Sequence, residues 1–352
     1  MSGKSIKRRE FLSSGLAAIA LAALPSPLPA TGCVINGNGR NKKMILSFYL
    51  DDTNPEIVKA KAFKDFVDYC ALNGIKGEAS FIPGYNGKSI ITDNNQNQQE
   101  FLYVLNSAWS KGIDTHMEIM THDTLYDFKD GRKKENGIHE GLWLHEPSVT
   151  AQEYRDYFSG ILSDAGRKSI KFTGLTWPGC GCETCNRRYE EFRKGGPLHF
   201  NPNVFEALLN LVVENKFRNN VIPIFYDSSE TEYRIFKRAS RGKYGVYELM
   251  PNAEDNFGIW ENSKDHVDPD YYITEDGKSG IIIRHLENNS PYCIWYMHWQ
   301  GVNPDNGNGW EAFKTVAGRI RKHISDKVEW MRPADIVTAY HESGNWEFAG
   351  SI

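Results

Sequence analysis

Two aspartates stand side by side where an apolar run stops: Met44-Ile-Leu-Ser-Phe-Tyr-Leu50 leads straight into Asp51-Asp52-Thr53-Asn54-Pro55. Adjacent carboxylates at a strand end suit a division of labour, in which one binds a divalent cation and its neighbour takes a proton from water held on it. An Asp cap on the following helix is the plainer reading. A second cluster is Asp114-Thr-His116-Met-Glu118-Ile-Met-Thr-His122-Asp123, where positions 114, 116, 118 and 122 share parity and line one face of an extended chain. His122, at its end, suits metal ligation, with a satisfied structural histidine as the alternative. A third run, Cys293-Ile-Trp-Tyr-Met-His298-Trp299, also ends on a histidine. Tyr226-Asp227-Ser228-Ser229 puts one more acid at a run's end, able to bind hydroxyls or to cap a helix. Finally, Cys180-Gly-Cys182-Glu-Thr-Cys185 offers three thiols within six residues. That knuckle fits tetrahedral Zn²⁺ with a fourth ligand from elsewhere, with a disulfide or free thiols as the alternatives.

For these residues to meet, the runs that carry them must be strands of one sheet. Strand-length apolar runs fall at 44–50, 77–82, 113–119, 170–175, 221–226, 244–249, 280–284 and 292–298, and amphipathic helical stretches at 55–72, 98–111, 151–165, 204–214 and 310–323. Repeated strand-then-helix order implies parallel strands, so the fold class is α/β, a (β/α) barrel of seven or eight parallel strands. It forms one domain over residues 42–352, because no Pro/Ser-rich linker interrupts it. Chemistry in such barrels sits at the C-terminal ends of the strands, where Asp51, Asp52, His122 and His298 fall.

Composition bounds the partners. The 352 residues carry 41 Lys+Arg against 45 Asp+Glu, a net charge of −4 with no long basic run beyond the N-terminus, so a nucleic-acid surface is not expected. Aromatics reach 12%, enough for a packed core with some left to stack on sugars. Residues 1–33 read as an address. Lys4, Lys7, Arg8 and Arg9 precede an apolar stretch from Gly15 to Leu24 that is too short to span a bilayer, which predicts export. Arg8-Arg9-x-Phe11-Leu12 resembles a twin-arginine translocation signal, and Ala30-Thr31-Gly32-Cys33 resembles a lipobox, with Ala where Leu is usual. Cys33 is then the lipid-bearing membrane anchor, a soluble periplasmic product being the alternative. Residues 34–41 form a short Asn/Gly linker.

Ser47-Phe-Tyr-Leu-Asp51-Asp52-Thr-Asn-Pro55 resembles the first motif of the polysaccharide deacetylase family (TFDDGP), and Met117-Glu-Ile-Met-Thr-His122 resembles its second (HEIGNH). The resemblance extends loosely from Met44 to about Tyr340. It implies an irregular (β/α) barrel, with Asp51 as general base and Asp52 and His122 as ligands of Zn²⁺ or a related divalent ion. The family's second histidine follows four residues after the first, where this chain has Tyr126 and then Asp127. The family's continuation into a helix is instead matched by His145-Glu-Pro-Ser-Val-Thr150, so 123–144 reads as an insertion that moves the second histidine ligand to His145. Asp127 stands in reserve. Gly174-Leu-Thr-Trp177-Pro178-Gly179 resembles the third motif, with Trp177 replacing the Arg that orients the base. His298 matches the fifth motif's general acid, and 328–340 the family's closing segment.

The leading expectation is thus metal-dependent hydrolysis of an N- or O-acetyl group on a polysaccharide or oligosaccharide, with Trp177, Asp227 and Trp299 as substrate contacts. A glycoside hydrolase pairing Asp51 with Glu118 or Asp227 is the second reading. A sugar-binding lipoprotein without chemistry is the third.

Overall fold

The computed structural model describes residues 42–85, 95–135, 137–177, 201–225 and 235–345. The expected export signal, Cys33, the linker, the Cys180/Cys182/Cys185 knuckle and Asp227 lie outside the described residues.

Strand β1 (Met44–Asp51) is buried along its whole length. Its alternation separates two cores: Met44, Leu46, Phe48 and Leu50 join the large cluster beneath the helices, and Ile45 and Tyr49 join a smaller inner one. Helix α1 (Ala60–Leu72) follows, with Phe63, Phe66, Val67 and Cys70 recurring at three- and four-residue steps as its buried face. Phe66 meets Phe48 edge-on, ring centres 5.9 Å apart, which fixes α1 over β1. Next come β2 (Gly77–Phe81), α2 (Gln96–Ala108), β3 (Ile113–Met117), α3 (Ala151–Arg167), β4 (Gly174–Thr176), α4 (Pro202–Val213), β5 (Val221–Phe225), β6 (Ile235–Arg241) and β7 (Tyr244–Leu249). The chain finishes with α5 (Ile281–Glu287), β8 (Tyr292–His298), α6 (Trp310–His323), β9 (Val328–Trp330) and α7 (Pro333–Ser343). Local signals start the helices: Asn95 with Gln98 and Thr150 with Glu153 form reciprocal capping boxes, and Asn201 caps α4 ahead of Pro202.

The sheet order is β8-β1-β2-β3-β4-β5-β7-β6, with β9 also paired to β1. Among the described residues every ladder of this sheet is parallel except that between β6 and β7. One edge of β1 pairs with β8 throughout; the other is shared between β9, at Met44–Leu46, and β2, at Tyr49 and Leu50. The sheet curls strongly. Tyr49 of β1 stacks on Phe225 of β5 with centres 4.1 Å apart, and its hydroxyl donates to the Leu249 carbonyl of β7 at 3.0 Å. Among the described residues no ladder joins β7 to β8. The gap is spanned by a single parallel bridge, Ala253 to Trp295, and by Asn252, whose N–H donates to the Ile294 carbonyl at 2.8 Å. At the N-terminal end of the strands, Met331, Ile336 and Val337 pack into the inner cluster, and Ala334 N–H donates to the buried Asp114 carboxylate at 2.8 Å. That end is plugged by α7, so the strands' C-terminal ends form the free mouth.

The expected parallel α/β architecture is present, with three departures. Residues 280–284 are not a strand but the start of α5: Ile281-Ile282-Ile283 is too short a run to separate a period of 2 from one of 3.6, and Gly280, at φ 109°, turns the chain into a helix. Only the end of 170–175 is strand. The antiparallel β6 and the short β9 were not foreseen. Among the described residues no helix is long and apolar enough to cross a membrane.

Candidate metal centre and active site

Three elements deliver the site. The end of β1 brings Asp51 and Asp52, the segment after β3 brings Glu118 and His122, and the end of β8 brings His298, which is the register partner of Asp51. Asp51 continues the inward parity of Ile45 and Tyr49. Asp52 then breaks it, at φ 65°. Ile119 and His122 also hold left-handed backbone, at φ 49° and 56°. Such conformations are unfavourable for residues with a Cβ, most of all a β-branched one, and persist where surrounding contacts fix them.

Asp52, Glu118 and His122 each present one ligand atom, and these atoms lie within 4.8 Å of one another, a spacing that suits a single cation. His122 Nε2 is 3.1 Å from Glu118 Oε1 and 3.8 Å from Asp52 Oδ1. Glu118 is fully buried. Its Oε2 accepts from Ser80 Oγ at 2.5 Å and from Asp52 N–H at 3.3 Å, whereas Oε1 has no donor aligned on it. The His122 ring is the counter-charge facing that oxygen, and a bound cation would take over that part from the ring's proton. One imidazole and two carboxylates form a donor set that divalent transition metals accept. The residues fit a metal.

Asp51 lies beside this triad. Ser80 Oγ touches both Asp51 Oδ1, at 3.1 Å, and Glu118 Oε2. A hydroxyl has one hydrogen, so serving both acids at once requires a proton on one of them. Burial pushes the Asp51 carboxyl well above the usual range, and the charges of Glu118 and Asp52 push it further. For His122, burial acts downward, but contact with Glu118 and the charges of Glu118, Asp52 and Asp51 outweigh it and hold the imidazole at about 10. Gln300 Nε2 donates to Asp52 Oδ2 at 3.2 Å and steadies it from the turn after β8.

His298 has its own partner. Asp255, buried in the segment between β7 and α5, accepts from His298 Nδ1 at 2.9 Å and from its backbone N–H at 3.1 Å. Burial pulls this imidazole down, yet the Asp255 bond and charge, with Asp52 and Asp51 behind them, raise it to about 9. Nε2 is the remaining ring nitrogen, and the imidazolium has a proton to give from it. Deeper in the barrel, burial pushes the Glu78 carboxyl up, with the charges of Asp51, Asp114 and Glu118 adding to it, and pulls the contacting His116 down to about 3.

The structure thus brings Asp51, Asp52, His122 and His298 together. His145 is not among the atoms of the triad. It lies buried against Trp177, ring centres 5.7 Å apart, and the third ligand atom of the triad comes from Glu118. Tyr126 and Asp127 are used locally: the two-residue strand they form pairs with Arg132–Lys133, and the Asp127 carboxylate accepts from Lys129 N–H at 2.9 Å. Trp299 is corrected. At 1% exposure, edge-on to Phe63 and Phe66, it opens the short helical turn after β8 as a core residue with no face for a substrate. Sequence reasoning missed Ser80, Asp255 and Gln300 and gave Glu118 no metal role. The four-residue step from Glu118 to His122 was a readable signal for the last. The others come from segments with no local signature.

No family model matches the chain, and no curated protein matches it. Among solved structures the chain is similar to T48 deacetylase, in a structure with substrate, at TM-score 0.40 and 8% identity over 86% of this chain and 92% of that one. It is also similar to a CE4 family pseudoenzyme from Bacillus anthracis, at TM-score 0.39 and 9% identity over 84% and 66% of the two chains. A protein of Bacteroides thetaiotaomicron aligns at TM-score 0.44 and 13% identity over 90% of this chain, which spans 48% of that longer one.

Proposed function

We propose that this protein is an exported, metal-dependent hydrolase that removes acetyl groups from a carbohydrate. The observation that carries the reading is the arrangement of the mouth: an Asp52–Glu118–His122 triad on one side, an Asp255–His298 pair on the other, and Asp51 within reach of both. The sequence resemblance to polysaccharide deacetylases supplies the substrate class. Asp52, Glu118 and His122 would hold the cation, which when bound polarises an acyl carbonyl and makes water a better nucleophile at neutral pH.

The chain's own groups do the proton work. Asp51, whose carboxyl is pushed up by burial and by the charges of Glu118 and Asp52, takes a proton from the attacking water as the new C–O bond forms. His298, kept charged by Asp255, gives a proton to the nitrogen or oxygen that departs as the acyl bond breaks. Acetate and the free amine or alcohol result. A glycosidase pairing Asp51 with Glu118 fits less well, because Ser80 Oγ is in hydrogen-bonding contact with both carboxylates.

The test is metal analysis of the purified protein beside Asp52→Ala/His122→Ala and beside a Cys180/Cys182/Cys185→Ser triple variant, which separates knuckle zinc from the mouth. One metal equivalent should vanish with the Asp/His pair and survive loss of the thiols, and acetate release from an acetylated oligosaccharide should follow the metal. An unchanged metal content in the Asp52/His122 variant, in metal-supplemented buffer, overturns the reading.

A further inference from the structure

The His122 loop is held from outside the site by a second buried carboxylate. Glu140 is fully buried and begins a single helical turn, Glu140–Trp143, at the far end of the segment that follows His122. Its Oε2 accepts from the backbone N–H groups of both Thr121 and His122, each at 2.9 Å. Its Oε1 accepts the Tyr157 hydroxyl from α3, and that hydroxyl oxygen accepts Tyr126 N–H at 2.8 Å. The Glu140 N–H closes the loop on the Asp123 carbonyl at 2.7 Å. Among the described residues no Lys, Arg or His forms an ion pair with Glu140, and burial holds its carboxyl up, at about 7, against the lowering effect of the Tyr157, Thr121 and His122 donors.

A buried carboxylate without a cation is an expensive way to join two loops. What it does here is receive two successive N–H groups that the left-handed backbone of His122 turns inward. Those N–H groups cannot enter a helix or a ladder, and a side chain with one lone acceptor site could not take both while also receiving Tyr157. Resting on the metal-dependent reading above, we propose that Glu140 is a positioning residue, whose contacts to the backbone of Thr121, His122 and Asp123 clamp His122 in its ligating conformation. Partners of this kind, which orient a ligand without touching the metal, commonly set affinity by about 10–100-fold.

The experiment titrates Co²⁺ into chelator-stripped full-length protein and follows the visible ligand-field bands, taking Asp52→Ala/His122→Ala as the blank. Glu140→Ala should weaken Co²⁺ binding by about 10–100-fold and alter the bands. Glu140→Gln and Tyr157→Phe, which keep the side-chain volume, should each weaken it by a smaller factor. Phe313→Leu, in the core between β1 and α6, should lower the melting temperature and leave Co²⁺ affinity unchanged. Wild-type affinity in both Glu140 variants overturns the clamp and leaves the metal centre standing. Wild-type protein that binds no more Co²⁺ than the blank overturns both. If Glu140→Ala does not fold, the Gln and Phe variants decide: unchanged affinity in both overturns the proposal.

Discussion

Replacing Asp255 by Asn should destabilise the protein in a strongly pH-dependent way. His298 is lifted from its ordinary 6.5 to about 9, and at 1.36 kcal/mol per unit that is about 3 kcal/mol of preference for the charged ring in the folded state. A pKa raised on folding contributes its full stability below the unfolded value, near 6.5, and loses it as the pH rises through about 9. Asn removes the charge that outweighs burial, so the variant forfeits this contribution at pH 6, where the wild type has it. At pH 10 neither protein has it. A second cost is independent of pH: Asp255 Oδ1 accepts Phe257 N–H at 2.9 Å and Oδ2 accepts both His298 donors, while Asn has one acceptor oxygen for the two sides. Leaving one donor side unmatched costs about 1–3 kcal/mol at any pH. Urea unfolding of both proteins, metal-free, at pH 6 and pH 10 therefore isolates the charge term as the difference of differences. The variant's deficit should be larger at pH 6 by about 3 kcal/mol. An equal deficit at both pH values, or a His298 ring that titrates near 6.5 by NMR in the wild type, refutes the pairing. In an active preparation the same substitution should move the alkaline limb of kcat/KM down from about pH 9, since the imidazolium is the proton donor.

Two further substitutions test the packing around the mouth. A Cβ at Gly309 would fall 1.8 Å from the Phe257 carbonyl oxygen, so Gly309→Ala should displace the segment that carries Asp255 and lower the melting temperature by the equivalent of about 1–3 kcal/mol or more, read by calorimetry. Trp299→Ala should cost about 3–5 kcal/mol in denaturant unfolding while leaving KM for a soluble substrate unchanged in the folded fraction. A raised KM at full stability would instead make Trp299 a substrate platform.

Much of this protein is written locally. The Asp51-Asp52 doublet, the inward parity of β1 and β3, the caps at Asn95, Thr150 and Asn201 and the alternation of strand and helix depend on neighbours within a few residues. The parallel sheet and four of the mouth residues, Asp51, Asp52, His122 and His298, could therefore be read from the chain alone. The isoleucine run at 281–283 fits two periods equally, and there tertiary packing chose the helix. The partners of the site were decided only by the fold. Asp255 reaches His298 across 43 positions, Ser80 reaches Glu118 across 38, and Gln300 reaches Asp52 across 248. Contacts so distant leave no period or spacing in the sequence, because what creates them is the curl of the sheet and the paths of irregular segments over it. The same holds for the choice between Glu118 and His145. Both were visible as titratable residues near strand ends, and only the left-handed turns at Ile119 and His122 bring the Glu118 carboxylate and the His122 ring to one point.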